Sequence, residues 1–300
     1  MPPQDNEEVL PGFLNEDLLL PVGIITVLVM IVIPMPTFLM NFLIVMNIGG
    51  GIIILLTVTY MDRAVDFSVF PSLLLIYNVF GLAVNVTTTR NILLGGPERA
   101  QGVITAFGEF VMGGNIIVGV IVFTIIIIIE YLVIVRGTTR VSEVAARFIL
   151  DSMPGKQMAI DADLNAGLID QREAQQRRKE LREEADFYGA MDGASKFIQG
   201  NVTAGIIILI INSFGGWAIG YFRMGMDPVE AIQTYVILTA GDGLAAQIPA
   251  LMVNVATGLI VTQASDRGDL GDNLAKQLTR FPRALYITGL TLITLGVITP

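Results

Sequence analysis

The sequence predicts an all-α, polytopic integral membrane protein, and two observations carry that prediction. Of 300 residues, 53% are hydrophobic and 15% are charged, with a mean hydropathy of +0.68; soluble domains carry about 25% charged residues. The apolar residues also gather into runs of about twenty, the length that crosses a hydrocarbon core as a helix. A helix satisfies its own backbone hydrogen bonds, which lipid cannot do for it.

The segments follow in order. Residues 1–17 are an acidic tail (Asp5, Glu7, Glu8, Glu16, Asp17) without Lys or Arg, unlike the basic start of a cleaved signal peptide. Residues 18–135 hold four spans. The first runs over 18–33 and stops at Pro34-Met35-Pro36. The second covers 38–60, with Gly49, Gly50 and Gly51 read as points of close helix packing. A turn over 61–66 leads to a third span at 67–87, and Gly95 to Arg99 reads as a loop. Residues 102–114 are apolar but too short to cross, which suits a re-entrant or interfacial piece. The fourth span, 115–135, carries five consecutive Ile followed by Glu130.

Residues 136–200 form a charged cytoplasmic loop between the fourth and fifth spans, with a mixed-charge helix from Asp170 to Phe187. The last third, 201–300, opens on a fifth span at 203–222. A broken segment at Gly241-Asp242-Gly243 and Pro249 precedes a sixth span at 248–262. A polar cytoplasmic loop over 265–283 and a seventh span from Ala284 complete the chain, making about seven transmembrane helices. Lys and Arg concentrate in cytoplasmic loops, so 136–200 lies inside. The count then puts the N-terminus, Arg63, Arg267, Lys276, Arg280 and Arg283 inside as well. It leaves the seventh span heading outward, so a continuation past residue 300 is expected.

Composition narrows the chemistry. The chain has no Cys and no His, so neither a thiolate metal site nor an imidazole proton carrier is available and proton chemistry falls to carboxylates. No phosphate loop, nucleophile–base pair or metal-ligand cluster is present in the sequence, so no enzyme activity, cofactor or metal is expected. Acidity argues against nucleic acid as a partner. Glu130 has two readings: a functional carboxylate inside the membrane, or a helix-end residue that reaches the interface or pairs with Arg136. Asp242, between two glycines at membrane depth, is the foremost proton-site candidate, with a helix cap as the other reading. Arg140 and Arg147 are two turns apart and share a helix face; Asp151, four residues on, is placed to pair with Arg147.

The stretch Arg140-Val-Ser-Glu-Val-Ala-Ala-Arg147-Phe-Ile-Leu-Asp151, followed by Met153-Pro154-Gly155-Lys156-Gln157-Met158-Ala-Ile-Asp161-Ala-Asp163-Leu164, closely resembles the signature of the FHIPEP family, the export-gate proteins of flagella and injectisomes. Further matching stretches are Asp66 to Pro71, Asn85 to Arg90, Phe107 to Asn115, Tyr188 to Phe197 and Gly241 to Pro249; Ala159 and Asn165 to Ile169 look more like the flagellar branch. The resemblance implies a multi-pass protein of the bacterial inner membrane, with an eighth span and a cytoplasmic substrate-docking domain beyond residue 300. It implies a homo-oligomeric ring, a nonamer in the family, that meets other membrane components of the export apparatus and receives substrates and chaperones through the missing domain. It also implies coupling of proton-motive force to protein translocation, with Arg140, Arg147, Asp151 and Asp242 at functional positions. Three charges of the family pattern are absent, Asp at Asn41, Arg at Gly81 and Asp at Asn201; the pattern also tends to Asn where this chain has Glu130. Three alternatives therefore stay open. One is an injectisome gate, another a structural ring scaffold without proton coupling, and the third, from a different class, an ion-coupled carrier of small molecules.

Overall fold

The computed structural model describes residues 16–263 and 270–298. The acidic tail lies outside the described residues but for Glu16 and Asp17, and so does the start of the 265–283 loop with Arg267. Every element among the described residues is helical: α1 (Glu16–Val32), α2 (Thr37–Thr59), α3 (Phe70–Arg99), α4 (Val103–Met112), α5 (Ile116–Ile129), α6 (Arg136–Asn165), α7 (Gln171–Phe222), α8 (Pro228–Thr262), α9 (Leu270–Thr279) and α10 (Pro282–Ile298). A 3-10 turn, Ala64–Phe67, precedes α3, and a π-helical turn, Glu130–Val135, joins α5 to α6.

Helix starts follow from local chemistry. Asn115 accepts from the backbone N–H groups of Ile117 and Val118 (3.1 and 3.3 Å) and so caps α5, and Asp227 before Pro228 accepts from Val229 (2.9 Å) and caps α8. Asp170 accepts from the N–H of Glu173 at 2.7 Å, opening α7 with an Asp-x-x-Glu box. Just before it, α6 ends where Gly167 takes φ 73°, with Leu168 N–H on Asp163 O (2.9 Å) and Gly167 N–H on Leu164 O (3.1 Å). That two-bond closure needs a left-handed residue, which glycine supplies without strain.

Among the described residues, five helices are long and apolar enough to cross a membrane: Thr37–Thr59, Phe70–Arg99, Ile116–Asn165, Gln171–Phe222 and Pro228–Thr262. α1 and α10 are shorter, with 17 residues each. α4, with 10 residues, is too short to cross and is wedged against α8, as the short apolar run suggested. The chain is an all-α polytopic membrane protein.

Several boundaries differ from the sequence expectation, and in most of them the helix runs on. α3 continues through Gly95 to Arg99 and breaks its winding at Gly96 alone (φ 56°, ψ −147°). The fourth span does not stop at Val135 but passes through the π turn into α6, across Met153-Pro154-Gly155. The fifth is the second half of a 52-residue helix. The broken segment expected at Gly241-Asp242-Gly243 is continuous helix within α8, and so is Pro249. The glycines serve approach rather than breakage. A Cβ at Gly241 would strike the carbonyl oxygen of Ile104 on α4, one at Gly108 would strike that of Ile237 on α8, and one at Gly243 would strike the Phe123 ring. With water excluded, backbone groups keep their helical partners, so the usual helix cost of glycine falls away.

α8 is the axis of the bundle, touching α2, α3, α4, α6 and α7. Tyr235, fully buried, lies against Gly216 and Gly220 of α7; Gly51 of α2 lies against Pro249. At one end, Arg90 of α3 donates to the carbonyls of Ile31 (2.5 Å) and Val32 (2.6 Å), satisfying the open end of α1. Gly96, Met224 and the Tyr235 hydroxyl meet at that same end. At the opposite end, Gln263 donates to the carbonyls of Met61 (2.7 Å) and Asp62 (3.3 Å), and Arg63 shares a surface hollow with Lys156 and Arg177. From that end the α6/α7 hairpin projects.

Candidate functional site

Asp242 sits in the middle of α8 with 1% of its surface exposed. α3 and α7 each bring one donor to it. The Thr88 hydroxyl donates to Oδ1 at 2.5 Å, and the Asn212 amide donates to Oδ2 at 2.8 Å. The same amide lies 3.2 Å from the Thr89 hydroxyl. No ion pair reaches Asp242 among the described residues. Thr88 has a single hydrogen and a second acceptor in reach, the carbonyl of Asn85 at 2.8 Å. Its rotor therefore has two settings: it donates to an ionised Asp242, or it accepts from a protonated Asp242 while donating to Asn85. Either setting leaves the carboxyl group and the Thr88 hydroxyl hydrogen-bonded to each other.

One helical turn along α3, Asn85 faces a membrane-depth cavity of about 60 Å³. Its polar lining comes from five elements: Asn47 from α2, Tyr77, Asn78 and Asn85 from α3, Glu130 from the π turn, Asn201 from α7 and Gln247 from α8; Ile127 of α5 adds an apolar wall. At ~15 Å³ for each water centre, it holds about four waters. Tyr77 donates to the main-chain oxygen of Asn47, and Asn201 donates to Asn78 Oδ1 at 2.9 Å. Glu130 is 2% exposed and does not pair with Arg136, whose guanidinium stacks over Tyr131 at 4.9 Å. The π turn places it there: Ile128, Ile129, Leu132 and Val133 around it all face outward.

The neutral positions separate. Asn201 and Gly81 both line the cavity, and Gly81 lies beside the Asn47 amide. Asn41 is elsewhere, six residues or ~9 Å up α2 from Asn47, where its side chain bonds Gln101 O (3.3 Å) and Val103 N–H (3.4 Å) at the start of α4. The structure does not bring Asn41 and Gly81 together.

The signature lies on α6: Ala145, Ala146 and Ile149 of its first half pack into the core shared by α2, α3, α7 and α8, while its charged side chains face away from it. Arg140 pairs with Glu143 at 3.2 Å, and Arg147 pairs back to Glu143 at 3.8 Å rather than forward to Asp151, which is exposed. The backward choice follows from helix electrostatics, since an acid four residues before a base is the favoured order. Met153 packs with Ile160, Leu164 and the facing Leu181 and Ala174 of α7. Pro154, Gly155 and Gln157 are exposed. Lys156 bridges to Glu184 (3.0 Å), Asp163 to Arg177 (3.3 Å) and Asp161 to Arg178. The second half of the signature thus fastens α6 to α7.

Sequence reading singled out Asp242 and Glu130 but missed Thr88 and Asn212 as partners, along with Asn47, Tyr77 and Gln247. Their signal was present as polar residues inside apolar runs; Asn212 follows an Ile-rich run directly.

Residues 27–300 match the model of the FHIPEP family. The chain is 50% identical to the flagellar biosynthesis protein FlhA of Bacillus subtilis over 95% of its own length and 42% of the relative's. It is 48% identical to FlhA of Helicobacter pylori over 95% and 39%, and 47% identical to FlhA of Salmonella typhimurium over 93% and 41%. The chain thus spans about two fifths of the length of these relatives. No solved structure matches it. With the match running from the second half of α1 to the end of the chain, the conclusion is that this protein belongs to the FHIPEP family.

Proposed function

We propose that this chain is the membrane portion of a flagellar export gate, in which protonation of Asp242 couples the proton-motive force to movement of exported proteins. The observation that carries this reading is the buried, uncompensated Asp242 carboxylate held at the meeting of α3, α7 and α8. An ionisable group at that depth without an opposite charge is expensive to keep for packing alone. The names of the relatives supply the flagellar context. The end carrying Arg63, Lys156 and Arg177 is the cytoplasmic one, with the N-terminus on that side, in the bacterial inner membrane. The ring of copies, the other export components and the docked substrates belong to the same proposal.

A second reading has its own observation. Asn201 is neutral and already paired with Asn78, which suits a scaffold of the same fold without a proton path. Proton flux into liposomes holding the purified chain, under an imposed gradient, separates the two. Flux that Asp242→Asn lowers to the protein-free leak supports coupling through Asp242. Flux that survives this substitution overturns it. No flux in the parent chain, with flux appearing in Asn201→Asp, establishes the scaffold.

A further inference from the structure

We infer that the cavity beside Glu130 is a binding site for one monovalent alkali cation, separate from the Asp242 cluster. Four buried side-chain oxygens, Asn47 Oδ1, Asn85 Oδ1, Gln247 Oε1 and Glu130 Oε1, have no hydrogen-bond partner, and all four belong to residues that line this one cavity. Buried polar atoms are ordinarily satisfied, so four acceptors turned onto a single space from separate elements form a site suited to a donor or a cation.

Charge says which occupant. The titratable groups that line the cavity are Glu130 and Tyr77, and no Lys or Arg does. Tyr77 is already committed to the main chain of Asn47. Water alone would satisfy the amide oxygens but would leave the carboxylate charge uncompensated at membrane depth. A proton on Glu130 would cancel the charge yet satisfy one oxygen of the four. A cation does both at once, whereas a proton does so only together with several ordered waters, the case that the pH arm of the test below identifies. One carboxylate with neutral amide oxygens balances a single positive charge, whereas calcium and magnesium sites draw on more carboxylates or on phosphate. Among the described residues no group of three or more acidic side chains gathers that would suit a divalent ion. The volume, about 60 Å³, leaves room for the ion with one or two waters. The amides come from α2, α3 and α8 and the carboxylate from the π turn, so a bound ion ties four elements together.

The test is equilibrium binding of radiolabelled Na⁺ to the purified chain in lipid nanodiscs, with K⁺ and Li⁺ as competitors, and thermal unfolding recorded with and without Na⁺. Saturable binding near one ion per chain is expected, with an unfolding temperature that rises with Na⁺. Glu130→Gln should weaken binding at least ~tenfold, since it removes the charge. Gln247→Met should weaken it to a smaller extent at equal volume. Both variants should unfold cooperatively, Glu130→Gln without the Na⁺-dependent rise and Gln247→Met with a smaller one. Binding that is absent or non-saturable overturns the proposal. Equal binding by the parent and Glu130→Gln overturns it too, as does an unfolding temperature that responds to pH and not to Na⁺. Because the readout is binding rather than flux, failure here leaves the Asp242 reading untouched, and failure of Asp242 to conduct leaves this site intact.

Discussion

Thr88 holds the more informative of the two bonds to Asp242, because its hydroxyl chooses between the carboxylate and the Asn85 carbonyl. A hydrogen bond to a charged group contributes about 1.5–3 kcal/mol. Thr88→Val keeps the shape and removes the hydroxyl, so proton flux should fall by ~tenfold rather than vanish, whereas Asp242→Asn should abolish it; a pH-jump flux assay on both variants measures the difference. Asp242 itself was legible in the sequence as a carboxylate within an apolar run. Thr88 and Asn212 were not legible as its partners, because they lie 154 and 30 residues away and meet it through the packing of α3 and α7 on α8. Arg147 teaches the converse: its two candidate acids both lie four residues off, and the order of acid and base along the helix decides for Glu143.

At the scale of elements, small residues set how closely the helices approach. The α4/α8 crossing depends on Gly108 and Gly241, whose missing side chains admit each other's backbone. Gly241→Ala places a methyl group against the Ile104 carbonyl, and overpacking of this kind costs typically 1–3 kcal/mol. Thermal unfolding in detergent should show that loss. Gly189→Ala, in open space on α7, should leave the midpoint unchanged or raise it. Hydropathy made the apolar segments readable, but not their continuity. Glycine and proline were taken as punctuation at Gly95 to Arg99, where Gly96 does break the winding, and at Gly241 to Pro249, where the helix carried on. Those residues break helices where water competes for the backbone. Inside a packed bundle they mark contact.

Across the whole molecule, the polar ends sort onto two sides. Met61, Asp62, Gln263 and the α6/α7 hairpin share one end, and Gly96, Met224 and the Tyr235 hydroxyl share the other. The chain has no Cys, so single cysteines label without background. Asp62→Cys and Ala166→Cys should react with an impermeant maleimide in inside-out membrane vesicles. Glu98→Cys and Arg223→Cys should react from the opposite face. All four positions are exposed. Labelling of Asp62→Cys and Glu98→Cys from the same face would break this arrangement. Basic residues gave an expectation of sidedness from sequence because charge distribution needs no knowledge of packing, and the labelling tests it. The cavity could not be read that way, since each of its walls comes from a different helix.

The helical path from Ile116 to Asn165 is unbroken and changes its winding at one place, Glu130–Val135. Below that place α6 runs for 30 residues, a shaft of ~45 Å. A shaft of this kind transmits torque. If the wide turn tightens by one residue, everything beyond it rotates by ~100° and advances ~1.5 Å, and the hairpin tip sweeps through the largest arc. The bridges from Lys156, Asp161 and Asp163 to α7 hold that shaft to its neighbour, so any such twist would have to carry the whole hairpin as one piece.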